Sequence, residues 1–428
     1  MWGGLIRRPV VAWALYDWAN SAYATTVMAG FFPLFFKEYW AAGMPVTDST
    51  FYLGLANSLA SLVIVLCAPV LGAFADRSGA RKRFLAAFTA LGVVGTTGFF
   101  FITRGRFELA MGLYVLSTIG FAASLIFYDS LIIAVARTDK LDSVSALGFA
   151  LGYLGGGLLF ALNVGMTLFP AAFGFVDAAE GVRASFVTVA LWWVLFSIPL
   201  FRWVREPPPL GTPVHGLGAV RAGFRQLRAT FTHLRLLRTA FTFLLAYWCY
   251  IDAVDTIVRM AVDYGLALGF PSQSLIVALL MVQFIGFPAA IAFGWLGERL
   301  GPKSGIYLAI AVYVGVVLFA SQMSSVAEFY GLAVAIGLVQ GGVQSLSRSL
   351  YARLVPPDKS AEFFGFFNML GKFAAVLGPV MVGFMSLQSG NPRSSLLVLL
   401  VFFAVGVILL RRVNVAEGER AARAFSGR

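Results

Sequence analysis

Residues 72–83 read GAFADRSGARKR, and residues 294–303 read GWLGERLGPK. Both follow one pattern, Gly-x-x-x-acid-Arg-x-Gly-x-Lys/Arg, at an offset of 222 residues. Each lies between two long apolar runs, so each is a short basic loop joining two membrane-length segments. A second pair of landmarks keeps nearly the same distance. Gly152, Gly155, Gly156 and Gly157 are matched by Gly378-Pro379 and Gly383, offset by 226. Landmarks repeated at this interval divide the 428-residue chain into two equivalent halves.

Outward from these loops, twelve apolar spans can be drawn. They fall at about 11–36, 51–75, 84–103, 108–135, 144–169, 184–203, 239–262, 271–296, 304–320, 327–350, 362–387 and 394–410. Each is near the ~20 residues that a helix needs to cross a bilayer, and none shows the short alternation of a barrel strand. Composition agrees. The chain is 59% hydrophobic and 12% charged, and its 45 glycines raise the apolar share to about 70%. Soluble domains carry roughly 45–50% apolar and about 25% charged residues, so a water-soluble fold and a disordered chain are both excluded. The expected fold class is an all-α integral membrane protein of twelve transmembrane helices in two six-helix bundles related as parallel repeats. Residues 1–203 form the first bundle, 204–238 a basic linker, and 239–428 the second bundle with a short tail.

The net charge of +12 is read as orientation rather than as affinity for nucleic acid. With the N-terminus, linker and C-terminus placed in the cytoplasm, that side holds 25 of the 32 Lys and Arg residues and the outer loops hold five. The expectation is a multi-pass protein of the plasma (inner) membrane with both termini cytoplasmic and no cleavable signal peptide. Cys67 and Cys249 lie inside apolar runs, so no disulfide is expected. His215 and His233 both fall in the linker. No histidine lies within a span, which argues against an enzyme, a metal site or a bound cofactor. The expected partners are the lipid bilayer and a small-molecule substrate, with protons as a candidate coupling ion and the chain as a monomer.

The sequence resembles the major facilitator superfamily over its whole length, since 72–83 matches that superfamily's loop signature with Ala80 where a basic residue is common. A finer resemblance, to the vacuole-effluxer-like branch that includes an autophagy-linked amino-acid exporter, rests on four stretches. These are ALYDWANSAYATTVMAGFFPLFF (14–36), LGYLGGG (151–157), GLVQGGVQSLSRSLYARLVP (337–356) and FFGFFNMLGKFAAVLGP (363–379). The resemblance implies the major facilitator fold, alternating access and amino-acid efflux. It also implies that spans one, four, seven and ten line a central cavity. A drug or organic-ion exporter is the alternative among transporters; a lipid scramblase or a non-transporting receptor is the alternative outside them.

Ionisable groups inside spans are costly, at roughly 2.5–3.5 kcal/mol each at the bilayer centre, and so mark candidate sites. Six are singled out: Asp17, Asp129, Asp252, Asp255, Arg259 and Lys372. Asp17 shares a polar stripe with Asn20 and Ser21, roughly 10 Å inside the cytoplasmic edge. It and Asp129 are either functional or satisfied structural carboxylates. Asp255 and Arg259 form an i,i+4 pair. Asp252 and Lys372 come out at similar depth, which predicts either a proton-coupling pair or a fixed structural one. Gln340 and Gln344 are placed to hydrogen-bond a zwitterion or to bridge helices, and Ser345, Ser347 and Arg348 follow them.

The loop pattern predicts a gate. Gly72 permits close helix contact, Asp76 meets a helix N-terminus or an arginine, and Arg77, Gly79 and Arg81 complete the turn and its charge. Gly294, Glu298, Arg299 and Gly301 repeat these roles. Gly148, Gly152 and Gly156 form a small-residue packing stripe, with Gly378 and Pro379 as their counterpart. Tyr153 stands where superfamily antiporters carry a proline. Gly365 to Lys372 superficially suggests a phosphate loop, but its spacing is one residue too long and Phe373 follows the lysine.

Overall fold

The computed structural model describes residues 7–207, 237–389 and 395–426. Most of the linker, including both histidines, lies outside the described residues. The first half holds α1 (8–40), α2 (Val46–Ser78), α3 (Arg81–Gly98), α4 (Phe107–Ser130), α5 (Leu141–Leu168) and α6 (Ala178–Trp203). The second holds α7 (Arg238–Ala267), α8 (Ser272–Leu300), α9 (Pro302–Ala320), α10 (Val326–Leu354), α11 (Ser360–Ser389), α12 (Leu399–Arg411) and a short α13 (Val415–Ser426). The twelve expected spans coincide with α1 to α12. Among the described residues, nine helices are long and apolar enough to cross a membrane, and the α12–α13 pair, bent by 67°, makes a tenth candidate.

The helix boundaries have local causes. Gly79 ends α2 at φ +61°, a left-handed conformation that costs glycine nothing. Asp177 caps α6 by accepting the Glu180 N–H at 2.8 Å. Ser325 and Glu328 close a reciprocal capping box at the start of α10. In α1 the regular helix Arg8–Ala22 passes into wide turns over Tyr23–Phe31. Leucines and phenylalanines such as Leu66, Leu191 and Phe51 stay exposed on the outer helix faces, as lipid-facing positions should.

The bundles meet chiefly through α5 against α8 and α2 against α11. One apolar core crosses between them at the end that carries the termini, joining Val10, Leu131, Leu200, Leu237, Phe364 and Val413. A second core is confined to the opposite end of the first bundle, where Phe32, Trp40, Phe99, Tyr114 and Phe186 stack together. Among the described residues, fully buried side chains of both bundles share only the first core, while Ile276, Leu279 and Leu280 of α8 pack against the second.

Candidate functional site: a central cavity above two gate loops

Small residues on α5 make room for polar ones on α1. Asp17, Ser21 and Thr25 recur every four residues and so share one helix face. Gly148, Gly152 and Gly156 face them in step. A Cβ at these glycines would lie 2.7 Å from Asp17 Oδ2, 2.6 Å from Ser21 Oγ and 2.8 Å from Thr25 Oγ1. Gly148 in particular leaves the space in which an ion cluster forms.

That cluster centres on Arg348 of α10, which is almost fully buried. Its guanidinium donates to Asp17 Oδ2 at 3.3 Å and to Asp129 Oδ1 at 3.1 Å. It also donates to the Ser145 hydroxyl at 2.9 Å and the Ser145 carbonyl at 2.8 Å. Tyr128 donates to Asp17 at 2.8 Å, and Asn368 donates to Asp129 at 3.1 Å. Trp13 and Phe149 lie against the guanidinium at 4.8 and 4.3 Å. Asp17 and Asp129 belong to the first bundle, Arg348 and Asn368 to the second. The cluster therefore ties the bundles together where breaking one partner costs roughly 3–5 kcal/mol.

Arg348 also floors a cavity of about 380 Å³ between the bundles. A volume of this order suits a small organic molecule. Its polar wall is Asp17, Asn20, Asp129, Asp255, Gln340, Gln344, Asn368 and Lys372; Phe121, Phe149, Tyr153, Tyr247 and Phe367 supply the aromatic part. Tyr153, at the position of the antiporter proline, donates to Gln344 Oε1 at 3.3 Å. Gln283 of α8 donates to Thr25 at 2.6 Å across the bundle interface. Among the described residues, Asn20 Nδ2 and Gln340 Oε1 are buried with no hydrogen-bond partner, as groups awaiting a ligand would be. The structure thus gathers Asp17, Asn20, Asp255, Gln340, Gln344 and Lys372 into one wall.

It does not bring Asp252 to Lys372. Lys372 and Arg259 both act electrostatically on Asp255. Asp252 instead accepts the backbone N–H of Gly378 at 2.8 Å. The correction has a helical cause. Residues 252 and 255 are three apart, so at 3.6 residues per turn they point about 60° away from each other. Asp255 faces the cavity and Asp252 faces α11. Equal depth is not equal direction. Arg259 is exposed and is not part of the cavity wall.

Towards the termini, two loops close the floor. Gly72 sits so close to α11 that a Cβ there would collide with the Ala361 carbonyl. Asp76 accepts the N–H groups of Ala361 at 3.2 Å and Glu362 at 2.9 Å, capping the first turn of α11. Arg81 pairs with the same carboxylate at 2.6 Å and donates to the Asp358 carbonyl at 3.3 Å. Arg77 is half-buried beside it. In the second copy, Gly294 lies against Ala146 and Ser143 of α5, and Glu298 pairs with Lys140 at 2.8 Å. Arg299 stacks over Trp295 at 4.0 Å, and Gly301 ends α8 at φ +81°. Asp142 at the start of α5 takes a further set of bonds across the interface, from Ser349 and from Arg353 at 2.8 Å. Gly378 and its backbone are described, whereas the Pro379 side chain lies outside the described residues.

Asn368, Tyr128 and Asp142 are residues of the candidate site that the sequence reading passes over, and Arg348 is named there without a role. Arg348 carried the best signal, a lone arginine within the span drawn to residue 350, but it stands close enough to the loop to be counted with the loop's basic residues.

Comparison with known proteins agrees with this geometry. The chain is 36% identical over 401 residues to YxiO of Bacillus subtilis strain 168, an uncharacterised MFS-type transporter, covering 93% of each chain. It is 23% identical to autophagy-related protein 22 of Yarrowia lipolytica, over 89% of this chain and 78% of that one. Among solved structures, the human organic anion transporter MFSD10 superposes with a TM-score of 0.73 at 17% identity, covering 94% of this chain and 99% of that one. A bacterial homologue of the iron transporter ferroportin, in an outward-facing state, superposes at 0.67 with 15% identity, over 95% and 98% of the two chains. At such identities the likeness is one of fold: the major facilitator architecture. The family described as vacuole effluxer Atg22 like matches residues 38–141 and 133–423, and to that family this chain belongs.

Proposed function

We propose that the protein is a secondary transporter that exports a small zwitterion of the amino-acid class by rocking its two bundles around the central cavity. The observation that carries this reading is the make-up of the cavity wall. Acids and bases occur there together with five neutral side-chain amides, Asn20, Gln283, Gln340, Gln344 and Asn368, in a volume sized for a small solute. A zwitterion presents one charge of each sign and several hydrogen-bonding atoms, which such a wall can match without leaving a charge unpaired. The family's description as vacuole effluxers supports efflux. Cytoplasmic termini, placement in the plasma membrane, a monomeric state and proton coupling belong to the same proposal.

The decisive experiment is counterflow in proteoliposomes with a labelled amino-acid panel, using organic anions, cationic drugs and fluorescent lipids as competing cargoes. Exchange of zwitterions that Arg348→Met abolishes supports the reading. Flux of organic ions alone would replace it with an organic-ion exporter, and lipid movement without solute exchange would replace it with a scramblase. Orientation is checked in intact cells. A cysteine in the 37–50 loop should react with an impermeant reagent, and one at His215 should not.

A further inference from the structure

We propose that Asp252 and Thr256 of α7, facing Gly378 of α11, form a binding site for one small monovalent cation, a proton or Na⁺, beside the transport cavity. As a coupling site it rests on the transporter reading; as a binding site it does not.

Asp252 is fully buried. Its Oδ1 accepts the Gly378 N–H, and among the described residues its Oδ2 is buried without a close hydrogen-bond partner. Thr256, one turn further along the same face, is also fully buried; its Oγ1 makes no close hydrogen bond among the described residues and faces the Asp252 carboxylate. The Asp252 carboxylate and the Thr256 hydroxyl face the same spot on α11: a Cβ added at Gly378 would collide with Thr256 Oγ1 and lie 2.6 Å from Asp252 Oδ1, the oxygen that holds the Gly378 N–H. A carboxylate and a hydroxyl thus meet where α7 touches α11. These are hard oxygen donors that suit a proton or an alkali cation.

The charges nearby make a positive guest necessary. The titratable neighbours of Asp252 are Asp255 and Cys249 on its own helix. On α11, Lys372 acts on Asp255. Within α12, Leu399–Arg411, the sole ionisable residue is Arg411 at the far end. From α10, Ser347 reaches α7 only through the Tyr250 hydroxyl. An ionised carboxylate held dry beside one neutral hydroxyl and no cation among the described residues is not a stable resting state, so Asp252 carries a proton or a metal cation. One unbalanced carboxylate calls for one positive charge, not two. The site also lies outside the cavity wall, so cation and substrate can be held together.

The test reads binding without any substrate. Infrared difference spectra and melting temperatures are recorded on the purified full-length protein, during a pH titration and during titrations with Na⁺, K⁺ and choline. For a proton, the wild type shows a neutral carboxylic-acid band that appears on acidification and is missing in Asp252→Asn, with Na⁺ inert. For Na⁺, the metal raises the melting temperature where K⁺ and choline do not, and Asp252→Asn removes the response. Asparagine keeps an oxygen for the Gly378 N–H, so the contact to α11 survives the substitution. Thr256→Val gives a second measurement in case that variant fails to fold. It should weaken Na⁺ binding about tenfold, as loss of a supporting oxygen does, or shift the acid band. A wild type with neither signal, or signals unchanged in the folded variants, overturns the proposal. Failure of amino-acid counterflow with these signals intact would instead overturn only the substrate reading.

Discussion

At the loop after α2, the acid of the repeated pattern is buried and spends its charge on backbone: Asp76 caps α11 and is neutralised by a buried Arg81. At the loop after α8, the acid at the same pattern position reaches a side chain instead. Glu298 meets Lys140, whose side chain is 31% exposed to solvent. The start of α5, which corresponds to the start of α11, is held by its own Asp142 to Ser349 and Arg353. The two loops share their letters and not their bonds. A charge-assisted cap in a dry site is strong and nearly indifferent to salt, whereas a partly exposed ion pair is weaker and more screened. The repeat is symmetric in placing the loops and asymmetric in what holds them. Release of the α2–α11 contact should therefore dominate the energetics of opening.

Four substitutions would break or sharpen this contrast. Arg81→Ala should do most, because it strands Asp76 as an uncompensated buried charge at a cost of roughly 3–5 kcal/mol. Thermal unfolding of the purified variant would show it, and a melting temperature equal to wild type would end the argument for a dominant lock. Asp76→Asn keeps an acceptor but loses the charge-assisted bonds, about 1.5–3 kcal/mol. It should slow transport and leave equilibrium binding of substrate intact, so unchanged flux at equal expression would reduce the motif to a topology signal. Gly72→Ala pushes a methyl group into the Ala361 carbonyl, an overpacking cost of roughly 1–3 kcal/mol. A cysteine pair across α2 and α11 should then crosslink more slowly. Glu298→Gln should have the smallest effect, visible at low ionic strength and gone in high salt. An effect equal to that of Asp76→Asn would show the two gates to be equivalent after all.

How much of this was legible in the sequence depends on the kind of order involved. Span positions are set by run length, and one helix length of apolar residues has no alternative meaning in a 428-residue chain with 12% charge. The gate loops were legible because their residue types repeat. Side-chain direction within a span was not. Asp252 and Lys372 share a depth, but which face of α7 looks at the cavity is fixed by packing against α11 and α12, on which residue spacing is silent. The role of Arg348 was missed for a related reason. Its meaning comes from Asp17 and Asp129, more than 200 residues away in the other bundle. The glycines at 148, 152 and 156 were read as packing residues, yet Gly148 also opens the space for that ion cluster.

Bare backbone at the bundle interface has a kinetic consequence. Gly72 against Ala361, Gly365 against Ala68 and Gly294 against Ser143 bring main chain close to main chain. No knob sits in a hole at these points, so no side chain has to change rotamer before the surfaces part. At these three points the barrier to separation comes from the polar bonds beside them and not from interlocking side chains, whereas the shared apolar core and the Tyr153 ring on Gly286 and Gly341 resist separation elsewhere. A transporter built this way has latches on its smooth patches that can be tuned one at a time, without repacking the rest of the interface.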